Sequence, residues 1–192
     1  IFLKYCRIIQ LRSIIKKMYK LGIIRESRSD DRRTPLAPKH LNTIFNTFKN
    51  ISVIVQPSRF RCFEDKEYKN NGAIISENLD KCDIILGIKE IESSLLIPNK
   101  KYIFFSHTSK IQPDNSAAAQ GTPGMDKKEL LKEIINKKIT LIDYENIRDN
   151  QSRRYLGFGR FAGIVGCYNS LNLYLIALGQ KPMCRAHEAG TF

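Results

Sequence analysis

Short apolar runs alternate with polar or amphipathic stretches along most of the chain. KLGIIR (20–25) is an apolar run bounded by polar residues, the pattern of a buried strand. The charged stretch after it holds Pro35 and Pro38, which forbid a helix interior. After Pro38, Leu41, Ile44, Phe45 and Phe48 fall at i, i+3, i+4 and i+7, which predicts an amphipathic helix. ISVIV (51–55) is rich in β-branched residues and reads as a second strand. QPSRFRCF is then a loop leading into a polar helical stretch around EDKEYKNN, and Ile74 and Ile75 make a small strand after Gly72. DIILGI (83–88) and KYIFFS (101–106) are the next strong strands, separated by a short helical or turn segment with Leu95, Leu96 and Pro98. DKKELLKEIINKK (126–138) predicts a helix capped by Asp126, with Leu130, Leu131, Ile134 and Ile135 on one face and Glu133 four residues before Lys137. ITLID (139–143) follows as another strand.

Strands alternating with helices at this spacing predict an α/β fold: a mostly parallel sheet flanked by helices, with ligands gathered at the carboxyl ends of the strands. Beyond Arg154 the sequence YLGFGRFAGIVGCYNSLNLYLIALG ends in an apolar run, the pattern of a long buried helix stopping near Gly179. The last thirteen residues carry no element pattern and stop abruptly, as a truncated tail does. SAAAQGTPGM (116–125) is small, neutral and low in complexity; a flexible loop, an insertion or a cloning scar would all read this way, and no function attaches to it. The chain thus divides into a leader or upstream extension (1–17), a main domain (18–159) interrupted at 116–125, and a helix with its tail (160–192).

Composition narrows the class. With 192 residues, 42% of them hydrophobic and 27% charged, the chain is long enough for one globular domain, and disordered, collagenous and disulfide-scaffold classes are excluded. Its net charge of +13 invites a nucleic-acid reading. Five of the bases (Lys4, Arg7, Arg12, Lys16, Lys17) sit in the acid-free leader before Met18, which reads as translated upstream sequence or as a mitochondrial transit peptide. Several others fall just past strand ends, so the charge is spread over a leader and one edge of the sheet, and neither nucleic acid nor membrane is expected as a partner. A basic nucleic-acid module remains the rival, and it would bind DNA or RNA with an affinity that falls steeply with salt. Five widely spaced cysteines without a C-x-x-C pair indicate reduced thiols in the cytoplasm, or in the mitochondrial matrix if the leader is a transit peptide. No apolar run reaches the roughly 18 residues that span a bilayer.

The polar residues past the strand ends are the candidates for chemistry: Arg25, Glu26 and Arg33 after the first, Gln56, Ser58 and Arg61 after the second, Lys89 and Glu90 after DIILGI, His107 and Lys110 after KYIFFS, Asp143 and Glu145 closing ITLID. Strand ends are usually wet, so most such residues are simply solvated. Lys89 and His107 differ because each directly follows an apolar strand. Partial burial favours the neutral amine of a lysine and imidazole exchanges protons near neutral pH, which are the properties of an acid/base pair. GFGRFAG (157–163) imitates a dinucleotide loop but has Ala162 at the sixth position and no acid in the next twenty residues, so it reads as close helix packing. The three histidines and five cysteines show no metal-ligand spacing, and no metal is expected.

Six ordered blocks carry a family resemblance: GIIRESRSDDRRTPLAPKHL, VQPSRFRCFEDKEY, DIILGIKE, KYIFFSHTSKIQ, LIDYE and RRYLGFGRFAGIVG. They resemble the N-terminal domain of the alanine dehydrogenase, transhydrogenase and saccharopine dehydrogenase superfamily, most of all the saccharopine dehydrogenase and lysine-ketoglutarate reductase branch, from about Met18 to Leu178. The resemblance implies a flavodoxin-like N-terminal catalytic domain that faces a separate Rossmann domain, absent from this chain, with hydride passing to or from NAD or NADP in the cleft between them. It further implies that Lys89 accepts a proton and His107 donates one. Arg33 would hold a substrate carboxylate, where a guanidinium fork fits. Glu90, Lys110, Glu145, Arg154 and Phe158 would line a small amino-acid substrate, and Gln112 and Arg153 the cofactor. GFGRFAG would open the interdomain helix. The function implied is oxidation of saccharopine to lysine and 2-oxoglutarate, with this chain alone inactive; an alanine dehydrogenase or a lysine-ketoglutarate reductase is the alternative, and a truncated, non-catalytic fragment is a third reading.

Overall fold

The computed structural model describes residues 17–28, 31–110 and 126–184. The leader up to Lys16, Gln112, the 116–125 segment and the end of the tail lie outside the described residues.

Six strands form one sheet: β1 (Tyr19–Ile23), β2 (Ile51–Val55), β3 (Ile74–Ile75), β4 (Ile84–Leu86), β5 (Lys101–Phe104) and β6 (Thr140–Asp143). Every pairing is parallel, in the order β3-β2-β1-β4-β5-β6. Without the two-residue edge strand β3, this is the flavodoxin-like doubly wound order, and the order reverses between β1 and β4. The α/β architecture expected from the alternating pattern is thus the one observed.

The period of two along each strand sorts side chains onto two cores. Ile23, Val53 and Val55 face the side covered by α1 (Pro38–Thr47) and α2 (Asp65–Asn70), where Leu41 and Tyr68 are fully buried. Ile54, Ile85, Tyr102 and Phe104 face the other side, against Leu130 and Ile134 of α3 (Lys127–Asn136). The helix starts follow local chemistry. Pro38 is the first residue of α1, where its fixed φ and missing N–H cost nothing. Glu64 and Glu67 form a reciprocal capping box on α2. Asp126 accepts a hydrogen bond from the Lys128 N–H at 2.8 Å on α3. Two apolar residues depart from the expected stripes. Phe48 lies past the end of α1, and Ile135 is turned away from the Leu130–Ile134 face, so both are exposed.

Residues 147–192 form a second compact unit, separate from residues 1–146. Its described part contains a bridge between Arg148 and Arg154 and the helix α4 (Gly159–Ala177), which ends before Gly179 in a left-handed conformation (φ 71°). The helix forms where the apolar run placed it, but it is not buried: Phe161, Leu173 and Tyr174 are all more than half exposed. A Cβ added at Gly157, Gly159, Gly163 or Gly166 would meet nothing within 4 Å, so the close packing read from GFGRFAG is not made. Apolar composition demands a partner surface but does not supply one. After α4 the chain turns back on the helix, with Met183 N–H donating to Asn172 Oδ1 at 2.6 Å and Tyr168 OH donating to the Cys184 carbonyl at 2.6 Å.

Candidate active site at the carboxyl ends of the strands

Where the strand order reverses, the loops after β1 and β4 diverge and leave a crevice. A Cβ at Gly87 would stand 3.2 Å from Ile24 Cγ2, so the chain leaving β4 passes close against β1 before reaching Lys89 and Glu90.

His107 is the most constrained residue of this edge. Its φ is 52°, in the left-handed region that a residue with a Cβ seldom occupies. Its neighbours hold it there: Ser106, fully buried, donates through Oγ to Asp143 Oδ2 at 2.5 Å and also contacts Thr108 Oγ1 at 2.8 Å. Asp143 Oδ1 accepts from the Glu145 N–H at 2.8 Å, so one carboxylate ties the turn after β5 to the turn after β6. The imidazole lies nearly parallel to Phe105, whose ring in turn contacts Tyr144 at 5.1 Å.

Glu90 Oε1 stands 2.7 Å from His107 Nδ1, with the carboxylate almost fully buried and the ring partly so. Burial raises the Glu90 pKa, but the hydrogen bond to His107 and the neighbouring charges of His107 and Lys89 outweigh it, and the net shift is downward. An ionised carboxylate only accepts, so Nδ1 carries the hydrogen and Nε2 is left as the ring's proton-exchanging atom. Glu90, expected against the substrate, thus has one oxygen engaged by His107.

Glu26, at the end of β1, accepts from the backbone N–H of Ile88 at 2.7 Å and of Lys89 at 2.9 Å. Burial nevertheless pushes it up to about 6. Tyr144 is pushed up to about 12 by burial and by the charge of Glu26. Arg33 grips Asp31 with a two-pronged fork, Nε to Oδ1 at 2.9 Å and Nη2 to Oδ2 at 2.5 Å, which holds Asp31 below the usual carboxylate range and raises Arg33. Arg28, Asp31, Arg32, Arg33 and Lys89 line a cavity of about 470 Å³. Four cations around one carboxylate, itself paired, suit an anionic ligand.

The structure therefore brings Arg33, Lys89, Glu90 and His107 to one edge of the sheet. Glu145 is buried at the end of β6, and Lys110 closes a 3-10 turn, Thr108–Lys110, after β5. Arg153, Arg154 and Phe158 belong to the second unit, all exposed there, with Arg153 Nε donating to Asp149 Oδ2 at 2.8 Å. Of the other strand-end residues, Gln56 and Arg61 build architecture. Gln56 accepts from the Arg25 N–H and donates to the Glu77 carbonyl, while buried Arg61 donates to the Gln56 and Phe63 carbonyls and to Asp65. The sequence reading left out Asp31 and Tyr144 and gave Glu26 no role; the only local clue was the position of Glu26 just past a strand. Among the described residues no group of three His, Cys, Asp or Glu side chains is placed to hold a metal ion, and no helix is long and apolar enough to cross a membrane.

Known proteins are similar to this chain in sequence and in fold. The profile of the alanine dehydrogenase/PNT N-terminal domain matches residues 22–165, and the chain belongs to that family. The bovine mitochondrial alpha-aminoadipic semialdehyde synthase is 40% identical over 152 residues, which is 78% of this chain and 15% of that protein. The saccharopine dehydrogenase (NAD(+), L-lysine-forming) of Candida glabrata is 30% identical over 139 residues, 69% of this chain and 33% of that one. A solved L-alanine dehydrogenase shares the fold, with a TM-score of 0.63 and 15% identity over 84% of this chain and 42% of its own. The chain spans only about a seventh to a third of the length of the two curated relatives named here.

Proposed function

We propose that this chain is the N-terminal, substrate-side part of an NAD(P)-dependent oxidoreductase that acts on the C–N bond of an amino acid, with saccharopine as the substrate and lysine plus 2-oxoglutarate as products. One observation carries the reading. His107 is held in a left-handed backbone with Nδ1 on a buried carboxylate, one strand away from a lysine that borders a cationic cavity.

Removing hydride from a secondary amine requires an acceptor, which a nicotinamide dinucleotide supplies when bound. The described residues do not form a cradle for one: the GFGRFAG glycines lead into a helix without a preceding strand, and Arg153 is engaged by Asp149. What this chain supplies is proton handling and substrate binding. Lys89 takes the proton of the amine as the C=N bond forms. Water then adds to that bond, giving one proton to His107 Nε2 while Lys89 returns its proton to the nitrogen; as the resulting carbinolamine collapses, its hydroxyl proton passes to Lys89, the C–N bond breaks, and His107 Nε2 gives its proton to the departing lysine amine. Glu90 fixes the tautomer of the neutral ring and stabilises the imidazolium that forms when water adds. The guanidinium groups of Arg28, Arg32 and Arg33 favour a substrate with several carboxylates.

The full-length protein, assayed with saccharopine and NAD(P), with lysine, 2-oxoglutarate and NAD(P)H, and with alanine and NAD, is the test. Turnover of saccharopine in either direction is expected; turnover of alanine alone would move the protein to the other branch. The reading places the protein in the cytoplasm, or in the mitochondrial matrix if residues 1–17 are a transit peptide, with a small amino acid and no nucleic acid or membrane as partner.

A further inference from the structure

We propose that Glu26 is a positioning residue of the proton-transfer site: by holding the backbone of Ile88 and Lys89, its carboxylate sets where Lys89 stands and, through Glu90, where His107 stands. The proposal rests on the reading of Lys89 and His107 as proton-transfer groups.

The argument begins with the sheet. β1 and β4 are paired up to Ile23 and Leu86, and the Ile24 N–H still reaches the Leu86 carbonyl at 3.0 Å. On its other side the chain leaving β4 stays tied to β5, with the Gly87 N–H donating to the Ile103 carbonyl and the Phe105 N–H donating to the Ile88 carbonyl, each at 3.0 Å. On the β1 side the ladder has ended, because β1's chain turns away after Ile24. The N–H groups of Ile88 and Lys89 need acceptors that no strand provides, and a partly buried donor left without one is costly. Glu26 meets both, Oε1 to Ile88 at 2.7 Å and Oε2 to Lys89 at 2.9 Å. Two oxygens across two consecutive amides fix the peptide from which the Lys89 side chain springs. The next residue is Glu90, which holds His107 Nδ1 at 2.7 Å. One carboxylate thus fixes the backbone that carries Lys89 and, one residue on, the Glu90 that holds His107.

Only an ionised carboxylate serves both amides fully. A glutamine offers one acceptor and turns an NH2 group towards the second N–H. Glu26 is also placed to lose its charge within the working range. Burial raises it to about 6, while the charges facing it are Asp31, which raises it further, and Arg33, which lowers it, both from the loop after β1, with the Tyr144 phenol facing it from the β6 turn. Acidification through pH 6 therefore loosens the Ile88–Lys89 peptide.

The test compares wild type, Glu26→Gln and Lys89→Met in the full-length protein with saccharopine and NAD, and follows the Ile88 and Lys89 amide protons by NMR. Glu26→Gln is expected to lower kcat roughly tenfold to a hundredfold, the size of effect that a small misplacement of a catalytic group produces, with KM changed less than threefold. In the wild-type protein the two amide shifts should move together with an inflection near pH 6. A slow Lys89→Met beside a Glu26→Gln at wild-type rate would overturn the positioning role and leave the reaction standing. Lys89→Met at wild-type rate would remove the reaction assignment and the positioning role with it. If Glu26→Gln fails to fold, the wild-type titration decides, and amide shifts that stay flat between pH 4.5 and 7.5 overturn the proposal.

Discussion

The carboxyl edge of the sheet and the second unit hold the candidate residues in opposite ways. At the sheet edge Glu26, Glu90, Ser106 and Asp143 are each committed to a named partner, most of them buried, and His107 is kept in a conformation that costs energy by itself. In the second unit Arg153, Arg154 and Phe158 are exposed, and α4 presents apolar side chains to solvent. Proton transfer needs groups held to within a fraction of an ångström, and the first region has that form. The second leaves its candidate side chains exposed instead.

Replacing either proton-transfer group is the strongest way to test this contrast. Lys89→Met or His107→Ala in the full-length protein should lower kcat by roughly 10²–10⁴, about 3–5 kcal/mol of barrier, while leaving the thermal midpoint within a few degrees. Wild-type turnover in both variants would dissolve the distinction. Next is the core. Phe104, fully buried on β5 and edge-on to Tyr102, should lose about 3–5 kcal/mol of stability on Phe104→Ala. Leu173→Ala on α4, two-thirds exposed, should stay within about 0.5 kcal/mol in this chain. Denaturant melts of the two variants measure the difference directly, and equal losses would mean that α4 is packed after all.

The pH dependence of stability follows with a smaller amplitude. Glu26 is raised from 4.5 to about 6 in the folded chain, so its contribution is fully present below pH 4.5 and is lost as the pH rises through 6. The shift corresponds to about 2 kcal/mol. Asp31 and Glu90 run the other way: both are lowered, so their stabilisation is present above the unfolded carboxylate pKa and is lost as the pH falls through their depressed values. Unfolding free energies measured from pH 4 to 8 should therefore show Glu26→Gln gaining on wild type by about 2 kcal/mol as the pH rises, and a constant difference would contradict the assignment of the raised carboxyl.

Much of this was legible along the chain, and the rest was not for a physical reason. β2 is set by five consecutive residues, four of them β-branched, and α1 by the spacing of Leu41, Ile44 and Phe45, because strand and helix periods are local. Lys89 and His107 were found because each directly follows an apolar strand. The contact between Glu90 and His107 spans 17 residues, and the two bonds of the Glu26 clamp span 62 and 63. Both exist only because β4 pairs with β1 on one side and β5 on the other, and no local spacing encodes a partner across a sheet. The exposure of α4 was illegible for the converse reason: an apolar run records that a residue needs covering and says nothing of what covers it.

The smallest expected effect separates binding from architecture in the second unit. Arg153 is exposed, and its ion pair with Asp149 is a surface pair, screened by solvent, that adds little to stability. Asp149 also accepts from the backbone N–H groups of Gln151 and Arg153, each at 2.9 Å, and these bonds outlast the side chain. Arg153→Ala should thus leave the chain's unfolding midpoint almost unchanged. If Arg153 meets the cofactor, as the family resemblance implies, the same substitution in the full-length protein should raise KM for NAD(P) several-fold and leave KM for saccharopine alone. A lowered midpoint with unchanged KM would make it an architectural residue, and the second unit would then resemble the first more closely than its exposure suggests.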